Sequence, residues 1–96
     1  MAHARVALYS VEVGALDELR QKVQEGMVPI LRDQPGFISY DVVDGGGDMV
    51  ISVSRWETHD QAEAAVQTIA DWVRDSGVGG LVERTQNYVG EVIVSA

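Results

Sequence analysis

Cysteine is absent from the 96-residue chain, so neither a disulfide framework nor a thiolate centre is open to it. Basic residues are scarce too: seven Lys and Arg stand against fifteen Asp and Glu, a formal charge of −8. Such a balance repels a phosphate backbone and leaves no basic stripe to offset the repulsion, so nucleic acid and anionic membrane are not expected partners. Long apolar runs are missing, none approaching the roughly 20 residues that span a bilayer. The N-terminus shows no basic segment followed by an apolar stretch, and the expected location is the cytoplasm. What is present is an ordinary globular composition, 46% hydrophobic and 23% charged, with two prolines and ten glycines placed at breaks rather than in a low-complexity tract. One domain over residues 1–96 is expected, and so short a domain often gains stability from a second copy.

Val6 to Val13, V-A-L-Y-S-V-E-V, reads as a first strand closed by Gly14. From Ala15 the apolar positions Leu16, Leu19, Val23, Met27 and Ile30 with Leu31 recur every three to four residues, which predicts an amphipathic helix. Gly26 and Pro29 should weaken or kink its last turns. Two further strands, Phe37 to Val43 and Met49 to Trp56, flank the glycine-rich turn Asp44 to Asp48 and should pair as a hairpin. Thr58 with Gln61 matches a capping box that opens a second helix running to about Asp75. Asn87 to Ser95 is read as the last strand. The order βαββαβ is the α+β, ferredoxin-like arrangement: a four-stranded antiparallel sheet with two helices on one face. Apolar residues on both faces of the strands, Val6-Ala7-Leu8-Tyr9 and Val92-Ile93-Val94 among them, imply that a second copy covers the face the helices leave free. Arg55 points a charge toward that face.

The strand period puts Val50, Ser52, Ser54 and Trp56 on one side of the sheet, and two hydroxyls beside an indole are unusual in a plain core. They line a ligand pocket, or else the indole fills volume and each serine bonds backbone. Tyr9, Tyr40 and Tyr88 fall on three strands, as packing groups or as hydrogen-bonding partners of a ligand. Trp72, one position off the apolar stripe of the second helix, is read as a subunit contact in preference to a rim residue over the pocket. His3 and His59 read as solvated. Asp44, Gly46 and Asp48 match the start of a calcium loop, but its twelfth position is Arg55 rather than Glu, so no metal site is expected. The Gly77 to Gly80 segment follows a helix rather than a strand and lacks the setting of a phosphate loop.

Pro35-Gly36-Phe37 at the opening of the second strand, Trp56-Glu57-Thr58 at the end of the third, and the Ala-rich helix Asp60 to Asp75 together resemble the antibiotic biosynthesis monooxygenase (ABM) domains of the dimeric α+β barrel superfamily. The resemblance covers nearly the whole chain. It implies a homodimer whose sheets form a central barrel, with a small, mostly apolar pocket in each subunit between sheet and helices. Members include cofactor-independent monooxygenases of aromatic polyketides, haem degraders and quinol oxygenases. Trp56 matches the pocket tryptophan of the polyketide oxygenases, while the position of their asparagine, four residues earlier, holds Ser52. The helix-two histidine of the haem degraders has no counterpart from Asp60 to Asp75, and Val6 to Val13 lacks their asparagine, leaving Ser10 and Tyr9 as its uncharged polar groups. The expected activity is oxygenation of an electron-rich aromatic, a phenol or hydroquinone, without a cofactor. The alternative is a noncatalytic dimer that holds a small apolar ligand. Trp56 and Ser52 are the candidate catalytic residues, and Ser54, Val66, Ile69 and Tyr9 join them as candidate substrate-binding residues.

Overall fold

In the computed structural model, residues 2–96 are described. Strand β1, His3–Val11, buries Arg5, Ala7, Tyr9 and Val11 on one face while the residues between them stay partly exposed. It begins three residues before the first apolar run and stops at Val11, where the backbone turns away to bond Asp48 and Leu81. Helix α1, Leu16–Lys22, a π turn, Val23–Met27, and helix α2, Val28–Arg32, follow as one helical run. The expected weakening at Gly26 and Pro29 takes the form of that π turn, in which the Val28 N–H bonds the Val23 carbonyl five residues back. Pro29 has no N–H to give and its ring would crowd the carbonyl four residues earlier. The extra residue in the turn places Pro29 in the first turn of α2, where a missing donor is harmless.

Strands β2, Phe37–Gly46, and β3, Met49–Trp56, form the expected hairpin. Its two-residue loop puts both Gly47 and Asp48 at positive φ, 59° and 60°, as a tight turn matching the strand twist requires. Helix α3, His59–Ser76, opens on the predicted capping box: Thr58 Oγ1 accepts from the Gln61 N–H at 3.2 Å, and Gln61 Oε1 accepts from the Thr58 N–H at 3.1 Å. Gly77, with φ +82°, ends it.

The last strand corrects the sequence reading. After a 3-10 turn at Val78–Gly80, β4 covers Val82–Glu91 rather than Asn87 to Ser95. Pairing with β1 draws the polar residues Glu83 to Gln86 into the sheet despite their composition, with a register shift opposite Leu8 and Tyr9. The apolar Val92 to Val94 segment then runs off the end of β1: Val92 gives its N–H to the Ala2 carbonyl at 2.8 Å, and Ile93 and Val94 are exposed.

All four strands pair antiparallel in the order β2-β3-β1-β4, the ferredoxin-like topology. The helices pack on one face, over a core that includes Leu31, Trp56, Ala62, Ala65, Ile69 and Val78. The opposite face carries Val6 across from Val53 and Tyr88, and Leu8 across from Ile51. Val43 pairs with Ile51 there, and both Val43 and Tyr88 are exposed. Arg55 lies at one end of this apolar face, opposite Ala4 and Ser39. Among the described residues no helix is long and apolar enough to cross a membrane.

Candidate functional site

Between sheet and helices lies a narrow slot of about 30 Å³, room for one water-sized group. Leu19, Val23 and Met27 close it from the first helical run, Ile69, Trp72 and Val73 from α3, and Tyr9, Tyr40 and Ser52 line it from three strands. The slot shares Leu19, Val23, Tyr40, Val42 and Val50 with a groove of about 340 Å³ between α1 and β2. Arg20, Gln24, Asp41 and Asp44 stand around that groove.

Trp72 owes its position over the slot to Gly26. A Cβ at that residue would stand 3.0 Å from both Cζ2 and Nε1 of the indole, so the π turn and its glycine leave the space that the ring occupies. This half-buried residue is a wall of the slot, the rim position that the sequence reading ranked second.

The polar end is wired to a side chain that the sequence reading passed over. Arg5 is fully buried, at 0% exposure. Its Nε donates to Asn87 Oδ1 at 2.8 Å and its Nη2 to the Tyr9 hydroxyl at 2.9 Å, with the guanidinium 5.9 Å from the centre of the Tyr9 ring. Nη1 is buried with no partner, and the ion pairs among the described residues do not include Arg5. Ser52 Oγ donates to the Tyr40 hydroxyl at 3.4 Å. Burial pushes the Tyr40 phenol above its ordinary value, and the Ser52 hydrogen bond and the Arg5 charge draw it only partly back. Tyr9 and Tyr40 thus each accept one hydrogen bond and keep a proton to give. Arg5 could have been found from strand parity, since it sits two and four residues before Ala7 and Tyr9, but a strand started at Val6 leaves it out.

Of the residues expected at a site, Tyr9, Ser52 and Ile69 line the slot, while Trp56, Ser54 and Val66 do not. Trp56 is 1% exposed; its Nε1 donates to Ser54 Oγ at 2.9 Å and its ring meets Phe37 edge to face at 5.5 Å. A shallow depression reaches it from the α3 side, past Pro35, Gln61 and Ala65. Tyr88 points to the other side of the sheet, where its hydroxyl donates to Gln86 Oε1 at 3.0 Å. His59 is exposed, 3.3 Å from Glu63 and edge-on to His3 at 5.7 Å. Neither histidine lines the slot, and α3 has no other, so these residues do not fit haem held by an α3 histidine. Among the described residues no three His, Cys, Asp or Glu side chains converge to hold a metal ion.

This fold with a pocket between sheet and helices is the protomer architecture of the dimeric α+β barrel proteins. The chain belongs to the antibiotic biosynthesis monooxygenase family, whose model matches residues 2–70. Among solved structures it is similar to SnoaB, a cofactor-independent oxygenase from Streptomyces nogalater, at 16% identity over 98% of this chain and 95% of that one, with a TM-score of 0.76. It is also similar to the heme-degrading protein Rv3592 from Mycobacterium tuberculosis, at 17% identity over 100% and 99%, TM-score 0.68. MupZ from Pseudomonas fluorescens matches at 11% identity over 92% of this chain, TM-score 0.75; the chain spans 66% of MupZ. No curated protein matches by sequence. At these identities the structural likenesses speak for the fold.

Proposed function

We propose that the chain is a small oxygenase that takes an electron-rich aromatic, a phenol or hydroquinone, into the α1–β2 groove and lets it react with dioxygen without a bound cofactor. The observation that carries the reading is the make-up of the slot: an almost wholly apolar surface to which three side chains with hydrogen-bonded hydroxyls, Tyr9, Tyr40 and Ser52, contribute. An apolar cleft with a few convergent polar groups is the usual form of a small-molecule site. Membership of the monooxygenase family supports it.

The substrate would bind as its phenolate, its ring in the groove and its oxygen accepting from the two tyrosines, after releasing a proton to solvent. Fixing the ring and excluding water leaves electron density on an unsubstituted carbon, para to the oxygen in a phenol or ortho to it in a hydroquinone. An electron passes from that carbanion to dioxygen, the radicals combine, and protonation of the distal oxygen gives a hydroperoxide. Loss of water, with the C–H proton of that carbon leaving and the O–O bond breaking, yields the quinone. One oxygen atom ends in the ring and one in water, and the substrate supplies all four electrons. Ser52 and Tyr40 orient the oxygen, and Trp56, through Ser54, braces the strand that carries Ser52.

The active form is proposed to be a homodimer joined through the face bearing Val6, Leu8, Ile51 and Val53, since an apolar sheet face left free by the helices is suited to a twofold partner. Sedimentation at micromolar concentration should give twice the 10.4 kDa chain mass; a particle of monomer mass contradicts it.

A second reading, a dimer that holds an aromatic ligand without turning it over, is favoured by one observation: no Asp, Glu or His lines the slot. Anaerobic binding of a panel of phenols and hydroquinones, followed by admission of oxygen, separates the two. Oxygen consumed together with quinone absorbance, reduced by Ser52→Ala and by Tyr40→Phe, supports the oxygenase; binding with no oxygen uptake across the panel supports the binder.

A further inference from the structure

We infer that Arg5 makes the closed end of the slot an anion-recognition point, so that the ligand must bring an ionised oxygen, a phenolate or a carboxylate, attached to a flat apolar ring. The inference deepens the proposed reaction and rests on the same site.

A guanidinium offers five N–H donors. Two of those on Arg5 are used, by Asn87 Oδ1 and the Tyr9 hydroxyl, and Nη1 has no partner although it is buried. A charge removed from water without a counter-ion is strongly unfavourable, and the usual remedy is a carboxylate close by. The chain has fifteen acidic residues, yet none pairs with Arg5 among the described ion pairs. The missing negative charge is therefore one that arrives with a ligand.

The route of that charge to the ligand passes through Tyr9. With its oxygen already accepting from Nη2, the Tyr9 hydroxyl keeps its proton to donate, and Tyr9 lines the slot. Tyr40, held by Ser52, presents a second proton in the same place. Two donors, one polarised by a fixed positive charge in a dry setting, stabilise an oxyanion over the neutral acid. The other charged groups near the path are Arg20 on α1 and Asp41 and Asp44 on β2, all exposed around the groove. The net charge of −8 works against anions at long range, so selection has to come from this short-range arrangement. Arg5 is accordingly a positioning residue that acts through Tyr9.

The test uses 4-nitrophenol as probe, since its phenolate absorbs in the visible and its neutral form does not, and all binding is measured without oxygen. The expected result is at least tenfold tighter binding of the phenolate than of the phenol, seen as a fall of one unit or more in the apparent pKa of the bound probe. Arg5→Met should abolish the fall, Arg5→Lys should restore part of it, and Tyr9→Phe, which keeps both the ring and Arg5, should diminish it even if Arg5→Met fails to fold. Competition by benzoate identifies a carboxylate as an acceptable source of the charge; displacement by phenolates alone restricts the ligand to phenols. A bound probe whose pKa is unchanged or raised, a fall untouched by Arg5→Met or Tyr9→Phe, or equal competition by uncharged benzamide would overturn the inference. Phenol turnover with no anion preference would sink this inference and spare the proposed reaction, and anion preference without oxygen uptake would do the reverse.

Discussion

Replacing Gly26 by Ala sets two effects of known size against each other. Gly26 is not among the glycines at positive φ, so its backbone accepts any L residue, and Ala in place of Gly should gain roughly 1 kcal/mol of helix propensity. The new methyl, however, would stand 3.0 Å from Cζ2 and Nε1 of Trp72 and 3.2 Å from Cε2. Overpacking of this kind costs about 1–3 kcal/mol, so the net effect should run from neutral to a loss of about 2 kcal/mol. With Trp72 replaced by Ala the obstacle is gone, and the same Gly26→Ala change should stabilise by up to about 1 kcal/mol. The coupling in the four-protein cycle is therefore about 1–3 kcal/mol, well above the error of additivity. Urea unfolding followed by circular dichroism measures it. Tryptophan emission gives an independent reading: Trp56 is buried and constant, so a red shift in Gly26→Ala reports the Trp72 indole pushed toward solvent and the slot opened. An equal loss whether Trp72 is present or replaced by Ala would refute the reasoning and assign the glycine to the π turn itself.

Thr58→Ala removes one half of the capping box and should cost about 1 kcal/mol of stability, read from the urea midpoint with an unchanged slope. Trp56→Phe keeps most of the buried aromatic volume but leaves the Ser54 hydroxyl without the indole N–H, a loss of about 1–3 kcal/mol; ligand affinity should fall less than in Ser52→Ala, because Trp56 lies outside the slot. Tyr40 should ionise above its ordinary value of 10.0, with burial as the main cause. Since the folded value is the raised one, its contribution to stability is complete below pH 10.0 and is lost as the pH climbs through the folded value. Phenolate absorbance in an alkaline titration checks this, and Arg5→Met should move the midpoint higher still.

Legibility in the sequence followed the strength of local signals. β3 was readable to the residue because a turn and Trp56 bound a run of β-formers in which the buried Val50, Ser52, Ser54 and Trp56 alternate with half-buried or exposed positions, and α3 because period and cap agree. β4 was misplaced because its first half is Glu83-Arg84-Thr85-Gln86, polar residues held in the sheet by pairing with β1, whereas the apolar Val92 to Val94 runs past the end of that pairing. Pairing across 70 or more residues leaves no local trace. The site was half readable. Parity located Ser52 and Tyr9, but whether Trp56 joined them depended on a side-chain choice: its indole bonds Ser54 Oγ and meets Phe37 edge to face, which takes it out of the slot. Trp72 could not be placed without the π turn, whose geometry brings Gly26 beneath the indole.

β1 connects the two surfaces on which the functional proposal rests. Its odd residues, Arg5, Ala7 and Tyr9, are buried under the helices, with the Arg5 guanidinium donating to the hydroxyl of Tyr9; its even residues, Val6 and Leu8, lie on the free face beside Val53, Ile51 and Tyr88. A strand has no slack between its faces: moving it by one residue exchanges them completely. β1 is also an inner strand, hydrogen-bonded by β3 on one side and β4 on the other, so it cannot relax toward either edge. The register shift opposite Leu8 and Tyr9 falls where an outward apolar residue adjoins an inward slot residue. A partner sheet pressed on Val6 and Leu8 would therefore hold Arg5 and Tyr9 in place as well, and the polar end of the slot should be most sharply defined in the paired form.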